Sequence, residues 1–313
     1  MCIAKITHKE LPFYFHLKKI VLLQLNCRNH QKVMISASEI HKIMGTKNLQ
    51  DWVNGEILRG RYIFTKEDVL GLHLPLSDHA LQNSLNRLVN RGVIMSPWKN
   101  FYVAIPTEYK LKGIVPPSFY IDKLMQFLRR DYYVSMLSAA ALNGASHQKA
   151  MVFQITVNGS SIRSGVKNGT VLEFTLKQNL PLAFTKQVKT QMGYLTVSGP
   201  ELTALDIVAE EQKIGGLSRA AEVLIELSET ITWDESKLPL LNNFSISTIQ
   251  RVGYLLERID HQAQADDLYA LIKHTEKTMR KTPLKLSSPF SGDMQMDRRW
   301  KIIENYKIEI DDI

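Results

Sequence analysis

The stretch YIFTKEDVLGLHLPLSDHALQNSLNRLVNRGVIMSPWKNFYVAIP, residues 62–106, decides the fold of the N-terminal part of the chain. Thr65 stands three residues before Asp68, which is the spacing of a residue that caps a short helix, and a tight turn follows that helix. Ser77 caps a second helix, whose apolar side chains form one stripe with a period of 3.6: Leu81, Leu85, Leu88 and Val89. Gly92 is placed to end it, because glycine readily adopts the left-handed conformation found just beyond a helix.

Two strand-like runs follow the glycine. Residues 93–95 and 101–105 are rich in β-branched and aromatic side chains, and the segment SPWKN between them is interpreted as a turn. Two short helices joined by a tight turn and followed by a strand, a loop and a strand are the elements of a winged helix-turn-helix. The sequence therefore predicts such a domain over residues 36–112, with two supporting helices ahead of the motif, at residues 38–44 and 49–58.

The outer side of the second predicted helix carries a polar face that is not acidic. Asn and Gln side chains can bond N6 and N7 of adenine together, and a helix in the major groove presents such side chains to base edges. Arg and Lys nearby would hold phosphates and set the register. The predicted DNA-binding residues are Ser77, His79, Gln82, Asn83, Asn86, Arg87, Asn90, Arg91, Lys99 and Asn100. An ordinary solvated helix in a module that contacts protein or RNA stays open as the alternative.

The positive charge of the chain is concentrated in the same part. The chain has 313 residues and a formal net charge of +8. Residues 1–115 hold 16 Lys and Arg against 8 Asp and Glu, whereas residues 116–313 hold 23 of each, so the whole excess lies in the N-terminal part. Clustered positive charge supplies the salt-sensitive part of nucleic-acid affinity. The charge distribution therefore favours double-stranded DNA as a partner, although part of the excess belongs to the extreme N-terminus.

Cysteine content and hydropathy exclude several classes of protein. The only cysteines, Cys2 and Cys27, precede the predicted domains, which excludes a disulfide framework or a cysteine-ligated metal and fits the cytoplasm. The apolar run at residues 13–25 is interrupted by His and Lys and is shorter than the roughly 20 residues of a membrane span. No small-residue cleavage site follows it, so export is not predicted and neither is a membrane partner.

Composition also suggests the domain boundaries. Clean helical patterning begins only at Ser36, so residues 1–35 are interpreted as an N-terminal extension, and Met34 is expected to be the natural start. The segment GIVPPS at residues 113–118 is a short, stiff linker, because its two prolines favour extended backbone. The C-terminal domain then covers residues 119–313.

This C-terminal region predicts a larger mixed α/β domain with a small sheet and flanking helices, which places the whole chain in the α+β class. Asp131 is expected to cap a helix that runs to Gly144, and residues 158–169 are interpreted as a turn region. The predicted strands cover residues 151–157, 171–176, 182–188, 194–197 and 300–310. The predicted helices cover residues 200–211, 217–227, 247–259 and 265–279.

No catalytic site or phosphate-binding loop is predicted. Glu173 and Lys177 share one face of a strand, which faintly resembles nuclease sites, but those need another carboxylate upstream and a Glu-x-Lys spacing. Asp206, Glu210 and Glu211 are interpreted as a solvated or partner-facing edge, because no histidine or partner motif accompanies them. The sequence favours binding over catalysis, with no metal and no cofactor.

Five segments beyond Met34 carry a resemblance to a known family. They are FYVAIP from Phe101, DYYVSMLSAAALNGASHQ from Asp131 with VFQITV after it, LTVSGPELTALDIV from Leu195, RVGYLLE from Arg251, and DRRWKIIENYKIEID from Asp297. In order and spacing they resemble the AbiEi family of antitoxins, the transcriptional regulators of type IV toxin-antitoxin systems in phage abortive infection.

This resemblance implies two separable functions, one for each domain. The N-terminal domain would bind inverted repeats in the promoter of its own operon and repress it. The C-terminal domain would counteract a nucleotidyltransferase-like toxin, AbiEii, without forming a stable complex with it. The resemblance adds no catalytic residues, and it leaves open whether the protein meets its DNA as a monomer or a dimer.

Two other functions stay open at this point. A ligand-sensing winged-helix regulator outside toxin-antitoxin systems would need a sizeable apolar pocket with a few polar groups, for which the strands between residues 151 and 197 are the expected place. A degenerate nuclease-like enzyme would show a metal-dependent activity that is lost when Glu173 is changed.

Overall fold

The computed structural model describes residues 48–111, 114–145, 152–167, 169–289, 291 and 294–310, together with a two-stranded antiparallel pair, β1 (Lys5–Ile6) and β2 (Leu23–Gln24). The helix predicted at residues 38–44 lies outside these residues. The chain divides into two compact units, residues 1–113 and residues 114–313. Both units combine helices with sheets, so the predicted α+β class is confirmed.

The N-terminal unit consists of short helices and a small sheet. Its elements are α1 (Leu49–Leu58), β3 (Ile63–Thr65), α2 (Lys66–Leu70), α3 (Asp78–Asn90), β4 (Ile94–Trp98) and β5 (Phe101–Ala104), followed by a 3-10 turn at Thr107–Tyr109. The three strands β3, β4 and β5 form an antiparallel sheet in the order β3-β5-β4. Strand β5 therefore lies in the middle of the sheet and pairs both with β3, before the two helices, and with β4, after them.

Local sequence signals begin and end these helices as predicted. The Asp68 N–H donates to Thr65 Oγ1 at 3.2 Å, and the Thr65 N–H donates to Asp68 Oδ2 at 2.7 Å, which is a reciprocal capping box. At the start of α3, the Ala80 N–H donates to Ser77 Oγ at 3.2 Å. These bonds satisfy N–H groups that have no partner inside the helix. Beyond α3, Gly92 takes the left-handed conformation with φ of +64°.

The turn between β4 and β5 is shorter than predicted. Strand β4 continues through Trp98, and only Lys99 and Asn100 connect it to β5, in place of a five-residue SPWKN turn. The register shifts between Met95 and Trp98, and Pro97 fits this irregular place because it has no N–H to donate to a ladder. Asn100 has φ of +64°, a left-handed conformation that two-residue hairpin turns use.

The apolar stripe of α3 packs into a core shared with α1 and the sheet. The buried residues of this core are Leu49, Trp52, Val53, Phe64, Val69, Leu81, Leu85, Leu88, Ile94, Tyr102 and Ala104. The predicted stripe is confirmed for its three leucines, and Val89 is half-buried. Because burying one leucine side chain stabilises a fold by roughly 1.5–3 kcal/mol, the stripe determines which face of α3 stays outside.

The C-terminal unit begins with a six-stranded mixed sheet. Its first elements are α4 (Ile121–Leu128), β6 (Tyr132–Val134), α5 (Met136–Leu142), β7 (Val152–Val157), β8 (Gly165–Lys167), β9 (Thr170–Leu176), β10 (Thr185–Thr190) and β11 (Gly193–Ser198), with 3-10 turns at Pro117–Phe119 and Leu182–Phe184. The strand order is β10-β11-β6-β7-β9-β8. Strand β11 runs parallel to β6, and β7 runs parallel to β9, whereas the other neighbours are antiparallel.

Three details of the predicted sheet are wrong. Asp131 does not cap a helix, because residues 132–134 form the central strand β6 and the helix starts only at Met136. All three residues of β6 are buried, and their aromatic and β-branched side chains favour a strand in that environment. The predicted turn region contains the edge strand β8, and the strand predicted from residue 182 begins at Thr185, after a 3-10 turn.

Helices make up most of the remaining chain. They are α6 (Pro200–Ala209), α7 (Glu211–Ile214), α8 (Leu217–Ser228), α9 (Leu238–Asn242), α10 (Ile246–Arg258) and α11 (Gln262–Ile272), with a 3-10 turn at Glu235–Lys237 and a final parallel pair, β12 (Thr282–Pro283) and β13 (Ile302–Ile303). The helix predicted to reach residue 279 ends at Ile272, and the run predicted as a strand over residues 300–310 is a strand only at Ile302–Ile303. Trp300 is fully buried against Gly253 of α10.

Candidate nucleic-acid interface

The inward-facing stripe of α3 leaves a row of polar side chains on its other side. His79, Asn83, Asn86 and Asn90 are exposed, and Gln82 is half-buried. Residues three or four apart are neighbours on a helix surface, so these side chains form a continuous face. The only acidic residue of α3 lies in its first turn. The predicted polar face is therefore accessible, with one carboxylate, Asp78, at its N-terminal end.

Side chains on this face are hydrogen-bonded to one another. Asn83 Nδ2 lies 3.3 Å from His79 Nδ1. Gln82 Nε2 donates to Asn86 Oδ1 at 3.2 Å and to the Tyr102 hydroxyl at 3.3 Å. Tyr102 is not in the predicted set, because a tyrosine among the apolar residues of a strand indicates a core position. In the structure, its hydroxyl contacts the candidate interface through Gln82.

The predicted phosphate-binding residues differ in whether their side chains already have a partner in the protein. Arg87 is exposed in the last turn of α3, and Lys99 is exposed in the β4–β5 turn. Neither forms an ion pair with another of the described residues. Arg91 Nη1 instead donates to Gln50 Oε1 at 2.9 Å, which ties this side chain to α1. Arg87 and Lys99 are thus the more available cations for an anionic ligand.

Ser77 and Asn100, the other two predicted residues, have structural roles. Ser77 Oγ accepts the capping bond of α3. The Asn100 carbonyl accepts a bond from the Lys66 N–H at 2.9 Å, and its left-handed backbone shapes the hairpin turn. Both residues are exposed, but a substitution at either would also disturb local structure.

The described part of the N-terminal unit carries little net charge. Residues 48–111 hold seven Lys and Arg against six Asp and Glu, so most of the excess of residues 1–115 belongs to the rest of that segment. Glu56 also pairs with Arg59 at 2.7 Å and with Arg61 at 3.1 Å. Attraction of the described residues for a polyanion therefore depends on a few well-placed cations.

In the C-terminal unit, Glu173 and Lys177 do not form a nuclease-like pair. Gln154 Nε2 donates to Glu173 Oε2 at 2.9 Å. Lys177 Nζ lies 3.5 Å from Asp206 Oδ1 and 3.7 Å from the centre of the Phe244 ring. Each side chain of the supposed pair thus has another partner.

The prediction of a solvated acidic edge is wrong. Asp206 and Glu211 are only 5% and 4% exposed. Burial raises the pKa of Asp206 to about 6, against the opposing effect of Lys177. Glu211 forms a buried salt bridge with Arg251, and burial lowers the pKa of that guanidinium to about 10. Only Glu210 is partly exposed, and each of the three carboxylates pairs with a cation: Asp206 with Lys177, Glu210 with Lys213 and Glu211 with Arg251.

A family model for the AbiEi antitoxin C-terminal domain matches residues 133–258, from β6 to α10. Residues 133–258 match an AbiEi antitoxin domain, and this segment is called the AbiEi domain here. The resemblance inferred from the sequence segments is confirmed, and the AbiEi family is a regulatory kind of protein with an antitoxin role in toxin-antitoxin systems. No curated protein matches the chain.

The fold around the AbiEi domain is also found in a solved structure. The crystal structure of the RV2827C protein from Mycobacterium tuberculosis is similar, with a TM-score of 0.60 and 17% sequence identity. The similarity covers 80% of this chain and 89% of that chain. At this identity, the likeness concerns the fold alone.

Two cavities of the C-terminal unit differ from the apolar pocket that a ligand sensor would need. One, of about 180 Å³ in the AbiEi domain, is lined by Lys177, Asp206 and Glu210 beside apolar groups. The other, of about 530 Å³, is lined by Tyr254 and Glu304 among others, and the Tyr254 hydroxyl donates to Glu304 Oε1 at 3.0 Å. Among the described residues, no cluster of three or more His, Cys, Asp or Glu could hold a metal ion, and no helix has the length and apolar character to cross a membrane.

Proposed function

We propose that this protein is a DNA-binding transcriptional autorepressor and antitoxin of a type IV toxin-antitoxin system. In this proposal, residues 36–112 form a winged helix-turn-helix domain that binds inverted repeats in the promoter of its own operon. Residues 119–313 counteract a nucleotidyltransferase-like toxin of the AbiEii kind. Both activities work by binding, without catalysis, in the cytoplasm.

The order of elements in the N-terminal unit supports the first half of the proposal. Helices α2 and α3 are joined by residues 71–77, the hairpin β4–β5 follows, and β3 completes the three-stranded sheet. A winged helix has this order, and α3 then occupies the position of the recognition helix, which enters the major groove.

The observation that carries the proposal is the exposed amide and imidazole face of α3. His79, Asn83 and Asn86 are accessible on one side of a helix that is anchored by its leucines. Asn and Gln side chains are suited to adenine, and side chains of this length reach base edges in the major groove. Arg87 and Lys99 would contact phosphates on either side and orient the helix.

Repression of a reporter by the full-length protein tests the DNA-binding half. With the reporter under the operon's own promoter, the wild type is expected to lower expression, and the double variant Asn83→Ala/Asn86→Ala is expected to leave it high at equal protein level. Gln178→Ala/Asn179→Ala, which removes exposed side-chain amides of the C-terminal unit, is the matched control. Equal repression by the wild type and the α3 double variant would show that α3 does not read the promoter.

Co-expression with the neighbouring toxin gene tests the antitoxin half. The AbiEi domain supports the expectation that the protein restores growth of cells that express the toxin. The Asn83→Ala/Asn86→Ala variant is expected to restore growth as well, because its changes lie outside that domain. The two proteins are expected not to co-purify as a stable complex. Failure of the wild type to restore growth would contradict this half.

A further inference from the structure

We propose that Tyr102 holds Gln82 and Asn86 of α3 in an arrangement that reads adenine, and that it is therefore a positioning residue for operator specificity. The inference rests on the proposed DNA-binding role of α3. Tyr102 lies on β5 and acts through Gln82, without touching a base itself.

The ring of Tyr102 is held firmly in the core. Tyr102 is 3% exposed, and it pairs with Phe64 of the neighbouring strand β3. The two rings are stacked, with centres 5.7 Å apart and planes at 20°. Phe64 in turn meets Trp52 edge-on at 5.1 Å. A ring packed in this way cannot change its rotamer without opening the core, so its hydroxyl has a fixed position beside α3.

Hydrogen bonds restrain two side chains of α3 relative to this hydroxyl, Gln82 directly and Asn86 through Gln82. The Gln82 amide has two hydrogens, of which one is donated to the Tyr102 hydroxyl at 3.3 Å and the other to Asn86 Oδ1 at 3.2 Å. An unrestrained glutamine would lose rotamer freedom on binding DNA. Here much of that ordering occurs on folding, and prior ordering of a binding group increases affinity and selectivity.

The polar atoms that remain on these two side chains match one base. Among the described residues, neither Gln82 Oε1 nor Asn86 Nδ2 has a protein partner, so the pair offers one acceptor and one donor. Adenine presents a donor at N6 beside an acceptor at N7, whereas guanine presents acceptors at both O6 and N7. Gln82 Oε1 would bond adenine N6, but it would face guanine O6 with no hydrogen between them. The Tyr102–Gln82–Asn86 chain therefore selects adenine against guanine.

Binding of the full-length protein to its promoter, with each base pair of the operator replaced in turn, tests this inference. The wild type is expected to have an A·T position at which replacement by G·C weakens binding. Tyr102→Phe removes only the hydroxyl, and it should reduce that discrimination by on the order of threefold to tenfold, the weight of one hydrogen bond. Affinity for scrambled DNA and its salt dependence should not change.

A second variant keeps the test independent of any effect on folding. Gln82→Met preserves side-chain length on the helix and should lose discrimination at the same operator position. Adding Tyr102→Phe to Gln82→Met should cause no further loss there, a result that a general loss of fold would not give. Tyr194→Phe, which removes an exposed phenol hydroxyl of the C-terminal unit, is the control and should discriminate like the wild type.

The outcomes separate this inference from the proposal beneath it. If the wild type prefers its promoter and Tyr102→Phe discriminates equally well, Tyr102 is not a positioning residue. A sensitive position that is not an adenine would also overturn the inference. If the wild type shows no preference for its promoter, the DNA-binding function itself fails.

Discussion

Lys177 and Asp206 form an ion pair beside a small cavity of the AbiEi domain, with 3.5 Å between Nζ and Oδ1. The lysine ammonium also lies over the Phe244 ring, 3.7 Å from its centre. Asp206 is buried, whereas Lys177 is partly exposed at the rim. The two residues thus join the end of β9 to α6, and their ion pair has a structural role.

Asp206 should make the stability of the protein depend on pH. Burial raises its pKa in the folded state to about 6, from an ordinary value of 3.8. The folded state therefore binds this proton more tightly than the unfolded state does, so the contribution of Asp206 to stability is complete below pH 3.8 and is lost as the pH rises through about 6. Relative to Asp206→Asn, the wild type should lose about 3 kcal/mol of unfolding free energy between pH 3 and pH 7.5.

Urea unfolding of both proteins at a series of pH values measures this difference. Asp267→Asn, which changes an exposed aspartate of α11, is the matched control and should track the wild type much more closely. A difference between the wild type and Asp206→Asn that stays constant from pH 3 to pH 7.5 would refute the assignment.

The buried salt bridge between Arg251 and Glu211 should be a major determinant of stability. The Arg251 guanidinium also donates to the carbonyls of Leu284 at 2.7 Å and Val208 at 3.1 Å. Glu211→Gln removes the counter-charge and leaves a buried cation, which should cost about 3–5 kcal/mol in the free energy of unfolding.

The matched control for that change is Glu222→Gln, which breaks the partly exposed pair of Glu222 with Arg219. Because exposed ion pairs contribute little, its cost should be below about 1 kcal/mol. Urea unfolding measures both values. Equal, small costs for the two variants would mean that the buried pair is not important for stability.

Gly253 of α10 is required by its contact with Trp300. A Cβ built at Gly253 would lie 2.0 Å from the indole ring, so Gly253→Ala must displace a fully buried side chain. Overpacking of this kind should lower stability by about 1–3 kcal/mol. In α1, Gly55 has no such neighbour, since its nearest contact would be 3.9 Å away. Gly55→Ala should therefore stabilise its helix by roughly 0.5–1 kcal/mol, and thermal unfolding of the two variants should show shifts of opposite sign.

Lys99 and Asn86 should affect DNA binding in different ways. Lys99→Ala should weaken binding to all DNA sequences and lower the slope of affinity against salt by about one, because one phosphate contact is lost. Asn86→Ala should cost about 1–3 kcal/mol and relax base choice at one operator position. Titrations of both variants against operator and scrambled DNA measure the two effects. Equal losses on both DNAs would mean that the recognition face is wrongly placed.

Features that depend on neighbours in the chain could be predicted from the sequence. The cap formed by Thr65 and Asp68, the cap at Ser77 and the left-handed Gly92 all follow from residues within a few positions of one another. The buried stripe of α3 follows from the helical period. Such signals located most of the elements of the N-terminal unit.

Features that depend on distant partners could not be predicted. Asp131 is a good capping residue, but Val134 pairs with Ile155 and Val197, and those pairings make the segment a strand. From the sequence alone, Asp206 is interpreted as a solvated carboxylate, because only the fold buries it and places Lys177 beside it. The hydrogen bond that Gln82 donates to the Tyr102 hydroxyl likewise needs the sheet to be packed against α3. Each error arises because pairing across the fold outweighs local preference.

A mobility shift of the full-length protein on its own promoter DNA tests the central claim most directly. A scrambled DNA of equal length and composition is the comparison, and both are measured across a series of salt concentrations. We expect selective, salt-dependent binding to the promoter, with the selectivity lost in Asn83→Ala/Asn86→Ala. Equal binding of the wild type to promoter and scrambled DNA would contradict the assignment of this protein as an autorepressor.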